Sequence, residues 1–153
     1  MGAMDNLELI QNSLLFKGCG KEGLDLLLEM FQERQLTQDA AIFTQHMPAE
    51  ALYLVKSGKV RITIMAGEGE ETELLHIGPG EFFGELALVQ DAERQVTARA
   101  ETAVELLLLT RKDFQALLDL DPRTGAKIAM TIAKLLAMRV KAYSERLKEL
   151  LLS

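Results

Sequence analysis

The stretch between residues 34 and 109 constrains the fold of this chain more than any other feature. It contains six short apolar or alternating segments of strand length, separated by turn residues and with no long helical pattern between them. The segments cover residues 41–43, 52–55, 60–64, 73–77, 96–100 and 104–109. A series of this kind predicts a small antiparallel roll or barrel.

Helical patterns precede this stretch. Residues 7–16 are mildly amphipathic, and a glycine-containing break separates them from a second pattern at 21–31. In the second pattern the apolar side chains Leu24, Leu27 and Leu28 share one stripe, as in a helix that packs on a core.

Helical signals also follow it. Thr110 is predicted to cap a helix that carries Asp113 at its third position and ends near Pro122. From about Arg123 the pattern stays helical to Leu152. We therefore predict a single domain over 1–153, mainly β, with helices in about 5–33, a jelly-roll-like double-stranded β-helix in about 34–109 and C-terminal helices in about 110–152.

The last helix carries a heptad pattern, which is typical of coiled coils. Its members step by four and three residues and are Leu136, Val140, Tyr143, Leu147 and Leu150. One helix of a single domain cannot bury this seam together with the apolar residues beside it. We therefore favour a homodimer through this helix over a monomer with a different partner.

Composition excludes several classes of function. The net charge of −6 argues against direct nucleic acid binding by this chain, which relies on clustered Lys and Arg. The lone Cys19 excludes an intrachain disulfide, and with His46 and His76 scattered it predicts no metal site. Without a membrane-spanning run or a signal pattern, we expect a cytoplasmic protein that does not engage a membrane.

One loop carries groups suited to a phosphorylated ligand. Gly80 and Gly84 bracket two phenylalanines, Glu85 follows directly, and Arg94 returns a permanent cation. A guanidinium can clamp two phosphate oxygens, whereas a carboxylate only accepts hydrogen bonds and so suits a sugar hydroxyl. The residues alone also fit an ordinary ion pair between Glu85 and Arg94 across a turn.

The sequence of this loop resembles the phosphate-binding cassette of the cyclic nucleotide-binding domain family. The resemblance lies in residues 82–88 and 93–100, and it extends to the predicted strand, turn and strand at 53–62. It implies a nucleotide as ligand, with the ribose 2′-hydroxyl on Gly84 and Glu85 and the cyclic phosphate on Arg94. The remaining contacts that it implies are backbone N–H groups of Ala87 and Gln95, apolar contacts from Leu74 and Leu86, and a lid near Tyr143 and Ser144.

This chain departs from the family pattern at Gln95, where Ser, Thr or Ala usually follows the arginine. The hydroxyl that favours cGMP is absent there, which favours cAMP. The resemblance implies that the C-terminal helix covers the base, and our leading hypothesis is that ligand binding repositions this helix. We therefore expect a sensor of cAMP, or else cGMP, with no cofactor.

Two other functions stay open on the sequence. The chain is either the sensory part of a transcription regulator, without the helix-turn-helix that relatives carry, or an interaction module whose pocket has degenerated. An enzyme is not expected, because the sequence shows no nucleophile paired with a base and no group of metal ligands. We therefore predict no catalytic residues.

Overall fold

The computed structural model describes residues 5–152, in which eight strands form a roll between flanking helices. The helices are α1 (Asn6–Asn12), α2 (Lys21–Met30), α3 (Arg111–Leu120) and α4 (Pro122–Leu152), with a short 3₁₀ helix at Glu85–Leu88. The strands are β1 (Gln32–Leu36), β2 (Ala41–Phe43), β3 (Ala51–Ser57), β4 (Val60–Ala66), β5 (Glu70–Ile77), β6 (Phe82–Phe83), β7 (Thr97–Ala100) and β8 (Val104–Thr110).

The strands pair in two sheets of four. One sheet has the order β1-β8-β3-β6 and the other has the order β2-β7-β4-β5, and every neighbouring pair is antiparallel. The predicted fold, a β-roll between N-terminal helices and a long C-terminal helix, is confirmed.

Strands β3 and β8 are buried on both faces, which explains why their sequences are continuously apolar rather than alternating. One face of each strand packs against the helices, and the other face points into the roll. The helix-facing residues are Leu52, Leu54, Leu107 and Leu109, and the roll-facing residues are Tyr53, Val55, Leu106 and Leu108. Each fully buried leucine stabilises the fold by about 1.5–3 kcal/mol.

The sequence prediction missed two strands. β1 has four exposed residues among its five and pairs only with β8, so it carries no apolar alternation to detect. β6 has only two residues, paired with Tyr53 and Leu54. The roll consequently begins at Gln32, slightly before the predicted boundary.

The prediction for the first helix was too long. α1 ends at Asn12 because Ser13 adopts an extended backbone and its N–H closes the last turn on Ile10. Leu15 and Phe16 are nevertheless fully buried, and they reach the core from a turn.

The start of α3 is as predicted. Thr110 is its N-cap, and its hydroxyl accepts a hydrogen bond from the N–H of Asp113 at 3.1 Å. α3 and α4 share one core, in which Phe114 and Leu117 pack with Ile128 and Ile132. This core joins the roll to the first half of the long helix.

The second half of α4 leaves the domain. From residue 137 to residue 152 every side chain is exposed, including Val140, Tyr143, Leu147 and Leu150 of the heptad seam. Within residues 5–152, no helix combines the length and the apolar character that crossing a bilayer requires.

The turn between β3 and β4 supplies a test of the backbone. Gly58 has φ of +86°, and a Cβ there would lie 2.2 Å from the carbonyl oxygen of Ala103. We expect Gly58→Ala to lower the free energy of unfolding by about 2–4 kcal/mol, since left-handed strain and a backbone clash act together. Urea denaturation measures this loss.

Gly67→Ala is the matched control. Gly67 has φ of +72°, but no other heavy atom lies within 4 Å of a Cβ built there. Its loss should be only about 1 kcal/mol, from backbone strain alone. Equal losses at the two positions would contradict the steric explanation.

Candidate ligand-binding site

A cavity of about 650 Å³ opens into the roll beside the connection between β6 and β7. Its walls come from strands β2, β4, β5 and β6, from that connection and from α4. Apolar side chains make most of the surface, and they are Phe43, Ile62, Leu75, Ile77, Phe82, Phe83 and Leu86. The charged side chains at the wall are Glu85, Glu93, Arg94 and Arg139. A cavity of this size and mixture is typical of a small-molecule site.

Gly84 shapes the charged end of the cavity. Its φ of +75° lies in the left-handed region, and it precedes the 3₁₀ helix Glu85–Leu88. A Cβ at this position would lie 2.7 Å from Nη1 of Arg94 and 3.3 Å from the carbonyl oxygen of Ala51. Glycine is therefore required both by the backbone conformation and by the close approach of the arginine.

Arg94 is buried, with only 6% of its surface exposed. Its Nη2 donates a hydrogen bond to the carbonyl oxygen of Ala51 at 2.6 Å, and its Cζ lies 4.0 Å from the ring centroid of Phe43. These contacts fix the guanidinium by a charge-assisted hydrogen bond and a cation–π interaction. Its Nε is buried and makes no hydrogen bond within the described residues.

The electrostatic environment of Arg94 is mixed. Burial lowers the pKa of its guanidinium, while Tyr53, Glu50 and Glu85 act in the opposite direction. Since an arginine starts from a very high pKa, the group remains a cation at neutral pH. The cavity therefore holds a fixed positive charge with an unused donor.

Glu85 is 5% exposed and faces Arg139 of α4. Nη1 of Arg139 lies 2.5 Å from Oε1 of Glu85, so the two side chains form an ion pair. A carboxylate has about four lone-pair sites, so Glu85 can accept a further hydrogen bond beside this ion pair. This contact also joins the cavity to the long helix.

Most of the predicted site residues meet at this cavity. Its lining includes Gly84, Glu85, Leu86, Ala87, Arg94 and Gln95. Gln95 is exposed at the rim, and its Nε2 lies 3.4 Å from the carbonyl oxygen of Glu93. The amide side chain thus bends back toward its own loop.

Leu74 was predicted at the wall but does not line the cavity. The pairing of β4 with β5 shifts register between Ile62 and Thr63, so that Leu75 lies opposite Ile62 and Leu74 has no partner. Leu75 consequently takes the place at the wall, while Leu74 is 51% exposed. The resemblance had assigned the wall to Leu74, whereas alternation along β5 places Leu75 on the same face as Ile77, which also lines the cavity.

Tyr143 and Ser144 were predicted near the lid, and both lie outside the cavity lining. Both are exposed, Tyr143 to 69%. α4 reaches the cavity one turn earlier, through Arg139, which the sequence analysis missed because an exposed helical arginine carries no distinctive signal. Phe43 was missed for a similar reason, since it reads as an ordinary core residue of a strand.

One polar cluster lies away from the cavity. Glu73, His76 and Glu101 bring ligand atoms within 4.8 Å of one another. Nε2 of His76 lies 3.1 Å from Oε1 of Glu101, so histidine and carboxylate already pair with each other. The pairing accounts for the cluster without an ion.

Comparison with known proteins identifies the family. The model of the cyclic nucleotide-binding domain matches residues 33–121, which contain the roll and almost all of the cavity. This chain belongs to the cyclic nucleotide-binding domain family. The resemblance noted in the sequence is thereby confirmed.

Regulatory members of the family are among the similar proteins. The chain is 42% identical over 132 residues to the Cyclic AMP receptor protein of Thermus thermophilus, covering 86% of this chain and 59% of that protein. The crystal structure of Thermus thermophilus Catabolite Activator Protein superposes with a TM-score of 0.79 and 41% identity, covering 90% of this chain and 63% of that one.

A eukaryotic kinase regulator has the same fold. The regulatory domain of Toxoplasma gondii PKA, in a co-crystal structure with cAMP, superposes with a TM-score of 0.67 and 30% identity. This match covers 72% of the present chain and 42% of that one. The present chain thus spans about three fifths of the curated Thermus relative and less than half of the kinase chain.

The ion pair between Glu85 and Arg139 is testable without a ligand. We expect Arg139→Gln to lower the free energy of unfolding by about 1 kcal/mol, because it leaves a buried carboxylate without its cation; the half-exposed arginine keeps the loss small. Urea denaturation of Glu85→Gln, Arg139→Gln and the double variant gives the coupling energy, expected at about 0.5–1.5 kcal/mol. Additive single effects would show that the contact contributes nothing.

Proposed function

We propose that this chain is a cyclic nucleotide sensor, with cAMP rather than cGMP as ligand, and that α4 relays the binding signal. The observation that carries the proposal is an unused donor beside a buried carboxylate at one cavity. Nε of Arg94 and Oε1 of Glu85 are buried and make no hydrogen bond within the described residues. An unpaired buried donor such as Nε of Arg94 costs about 1–3 kcal/mol, which a ligand phosphate would recover, whereas Oε1 of Glu85 is compensated in part by Arg139.

The two side chains suit different groups of the ligand. Arg94 offers a cation and a donor, so it binds the cyclic phosphate, whereas Glu85 is an acceptor and binds the ribose 2′-hydroxyl beside Gly84. The N–H of Ala87 now donates to the carbonyl of Gly84 at 3.2 Å, a long bond with which the phosphate competes. The N–H of Gln95 is the second backbone donor in this proposal.

The apolar side of the cavity receives the base. Ile62, Leu75 and Leu86 lie there, with Leu75 in the place first assigned to Leu74. These side chains recognise a purine by shape and burial rather than by hydrogen bonds.

Two observations support cAMP over cGMP. Position 95 is Gln, so the hydroxyl that favours cGMP is absent. In addition, the relative of 42% identity is named a cyclic AMP receptor protein, and the kinase regulator of 30% identity was crystallised with cAMP.

A sensor without catalytic activity fits the cavity. Its described lining contains carboxylates and arginines but no Ser, Cys or His to act as a nucleophile or as a base near neutral pH. Binding at this site therefore ends in a conformational signal rather than in a reaction.

The signal starts at Glu85. A ribose hydroxyl that bonds to this carboxylate changes the partner of Arg139, and Arg139 stands where α4 leaves the domain. Ligand binding thereby favours one position of α4 over another, which is the differential interaction that a sensor requires.

Isothermal titration with cAMP and then cGMP tests the ligand. We expect saturable binding that favours cAMP, and a loss of about 2–4 kcal/mol of binding free energy in Arg94→Ala, because the phosphate loses its buried cation. Thermal melting confirms that the variant is folded.

Arg61→Ala is the matched control for Arg94→Ala. Arg61 lies in β4, pairs with Asp39, and is absent from the cavity lining. Its removal should leave the affinity unchanged. Unchanged affinity in Arg94→Ala would place the phosphate elsewhere, and no heat from the folded unsubstituted domain would favour an interaction module with a degenerate pocket.

The exposed seam of α4 supports a homodimer. Val140, Tyr143, Leu147 and Leu150 are each more than half exposed, an apolar face that a second copy of the helix would cover. We expect Val140→Glu to shift the molecular mass in solution from dimer to monomer, since a charge would enter the seam. Light scattering with size-exclusion chromatography measures the mass.

Lys141→Glu introduces the same side chain one position away from the seam and is its control. It should remain dimeric. A monomeric unsubstituted protein would overturn the homodimer and direct attention to a different partner for α4.

The sensory part of a transcription regulator is the second candidate. It is favoured because the chain aligns over 86% of its own length with regulators that extend well beyond the matched part. The coding sequence on either side of this stretch tests it, and a DNA-binding domain in the same reading frame is the expected result.

A further inference from the structure

We infer that Arg111, which lies outside the cavity, is the positioning residue that ties the site segment 85–90 to α3. The inference rests on the proposed function, because that segment contains the proposed ribose and phosphate contacts. Nη1 of Arg111 lies 2.8 Å from the carbonyl oxygen of Ala49, 3.3 Å from that of Ala87 and 3.2 Å from that of Gln90.

The backbone of Arg111 adds a further link. Its N–H donates to the carbonyl oxygen of Glu50 at 2.8 Å, directly before β3. Nη2 also approaches Oδ1 of Asp91 at 3.5 Å, but that carboxylate is highly exposed and contributes little. One residue thus joins three parts of the molecule: the start of β3, the site segment and the first turn of α3.

A guanidinium suits this position. The last carbonyls of a helix have no partners within the helix, and a cation at that end is favourable. Nη1 has only two hydrogens, so its three carbonyl partners share them, and the permanent charge strengthens each contact. A glutamine can serve only part of this set, and the ammonium of a lysine lacks the planar fork.

The segment begins with only one short 3₁₀ helix, Glu85–Leu88. At the ends of this helix the N–H of Ala87 donates to the carbonyl oxygen of Gly84, and the N–H groups of Val89 and Gln90 donate to that of Leu86. Ala87 and Gln90 both line the cavity. Arg111 therefore binds the backbone carbonyls of two residues that also line the cavity.

These contacts of Arg111 also connect the site with α4. Arg111 is the first residue of α3, and α3 packs through Phe114 and Leu117 against Ile128 and Ile132 of α4. A shift of segment 85–90 on ligand binding therefore moves α3 directly. This route is separate from the contact of Arg139 with Glu85.

Amide hydrogen exchange and titration calorimetry of Arg111→Gln test the assignment. Without ligand, we expect exchange of the Ala87, Val89 and Gln90 amides to become about tenfold faster, while the amides of β4 and β5 stay unchanged. cAMP affinity should fall about tenfold. At saturating cAMP, the change in exchange along residues 128–140 of α4 should fall to less than about half of that in the unsubstituted protein.

Two variants control for charge and stability. Lys112→Gln removes a cation from the next position of α3, where the side chain is exposed, and should leave all three readouts unchanged. Arg111→Lys keeps the charge and should give values between those of the unsubstituted protein and Arg111→Gln.

The outcomes separate the inference from the proposed function. Normal cAMP affinity and a normal α4 response in Arg111→Gln would overturn the positioning role, even if its melting temperature fell, because a purely structural residue changes stability alone. Failure of the unsubstituted protein to bind cAMP or cGMP would overturn the proposed function, and unchanged exchange at 85–90 in Arg111→Gln would independently show that Arg111 does not hold the segment.

Discussion

The burial of the Arg94 guanidinium is the interaction on which the site depends. A charge leaves water only if the protein supplies partners, and here these are the carbonyl oxygen of Ala51 and the ring of Phe43. Gly84 must lack a side chain so that the guanidinium can lie against its backbone. The start of β3, the turn at Gly84 and the ring of Phe43 thus all contact one cation. Its Nε stays buried and makes no hydrogen bond within the described residues.

A second buried charge extends this constraint to the long helix. Glu85 is as inaccessible as Arg94, and it forms an ion pair with Arg139 of α4. Arg94 contributes to the same electrostatic environment, since Glu85 raises the pKa of its guanidinium against the effect of burial. A ligand that satisfies either group therefore alters the field felt by the other, and the position of α4 enters the energy balance of the cavity.

How much the sequence predicts depends on how local the signal is. The six strands with apolar runs or alternation, the Thr110 cap and the loop around Gly84 were all readable. β1 was missed because an edge strand of exposed polar residues has no alternation. Leu74 was assigned to the wall from the family resemblance, but its neighbour Leu75 lies there, on the face of β5 that alternation shares with Ile77. The contact of Arg139 with Glu85 spans distant parts of the chain, and neither side chain identifies the other in advance.

The two halves of α4 have different physical roles. Ile128 and Ile132 are fully buried and fix the first half to the domain, whereas the seam residues from Val140 onward are exposed. Arg139 stands at the boundary between them. A helix is stiff along its axis, so a small change in angle at that boundary becomes a larger displacement at Leu150, more than two turns away. A signal relayed by α4, as proposed, therefore needs a partner that covers the apolar seam differently in the two positions.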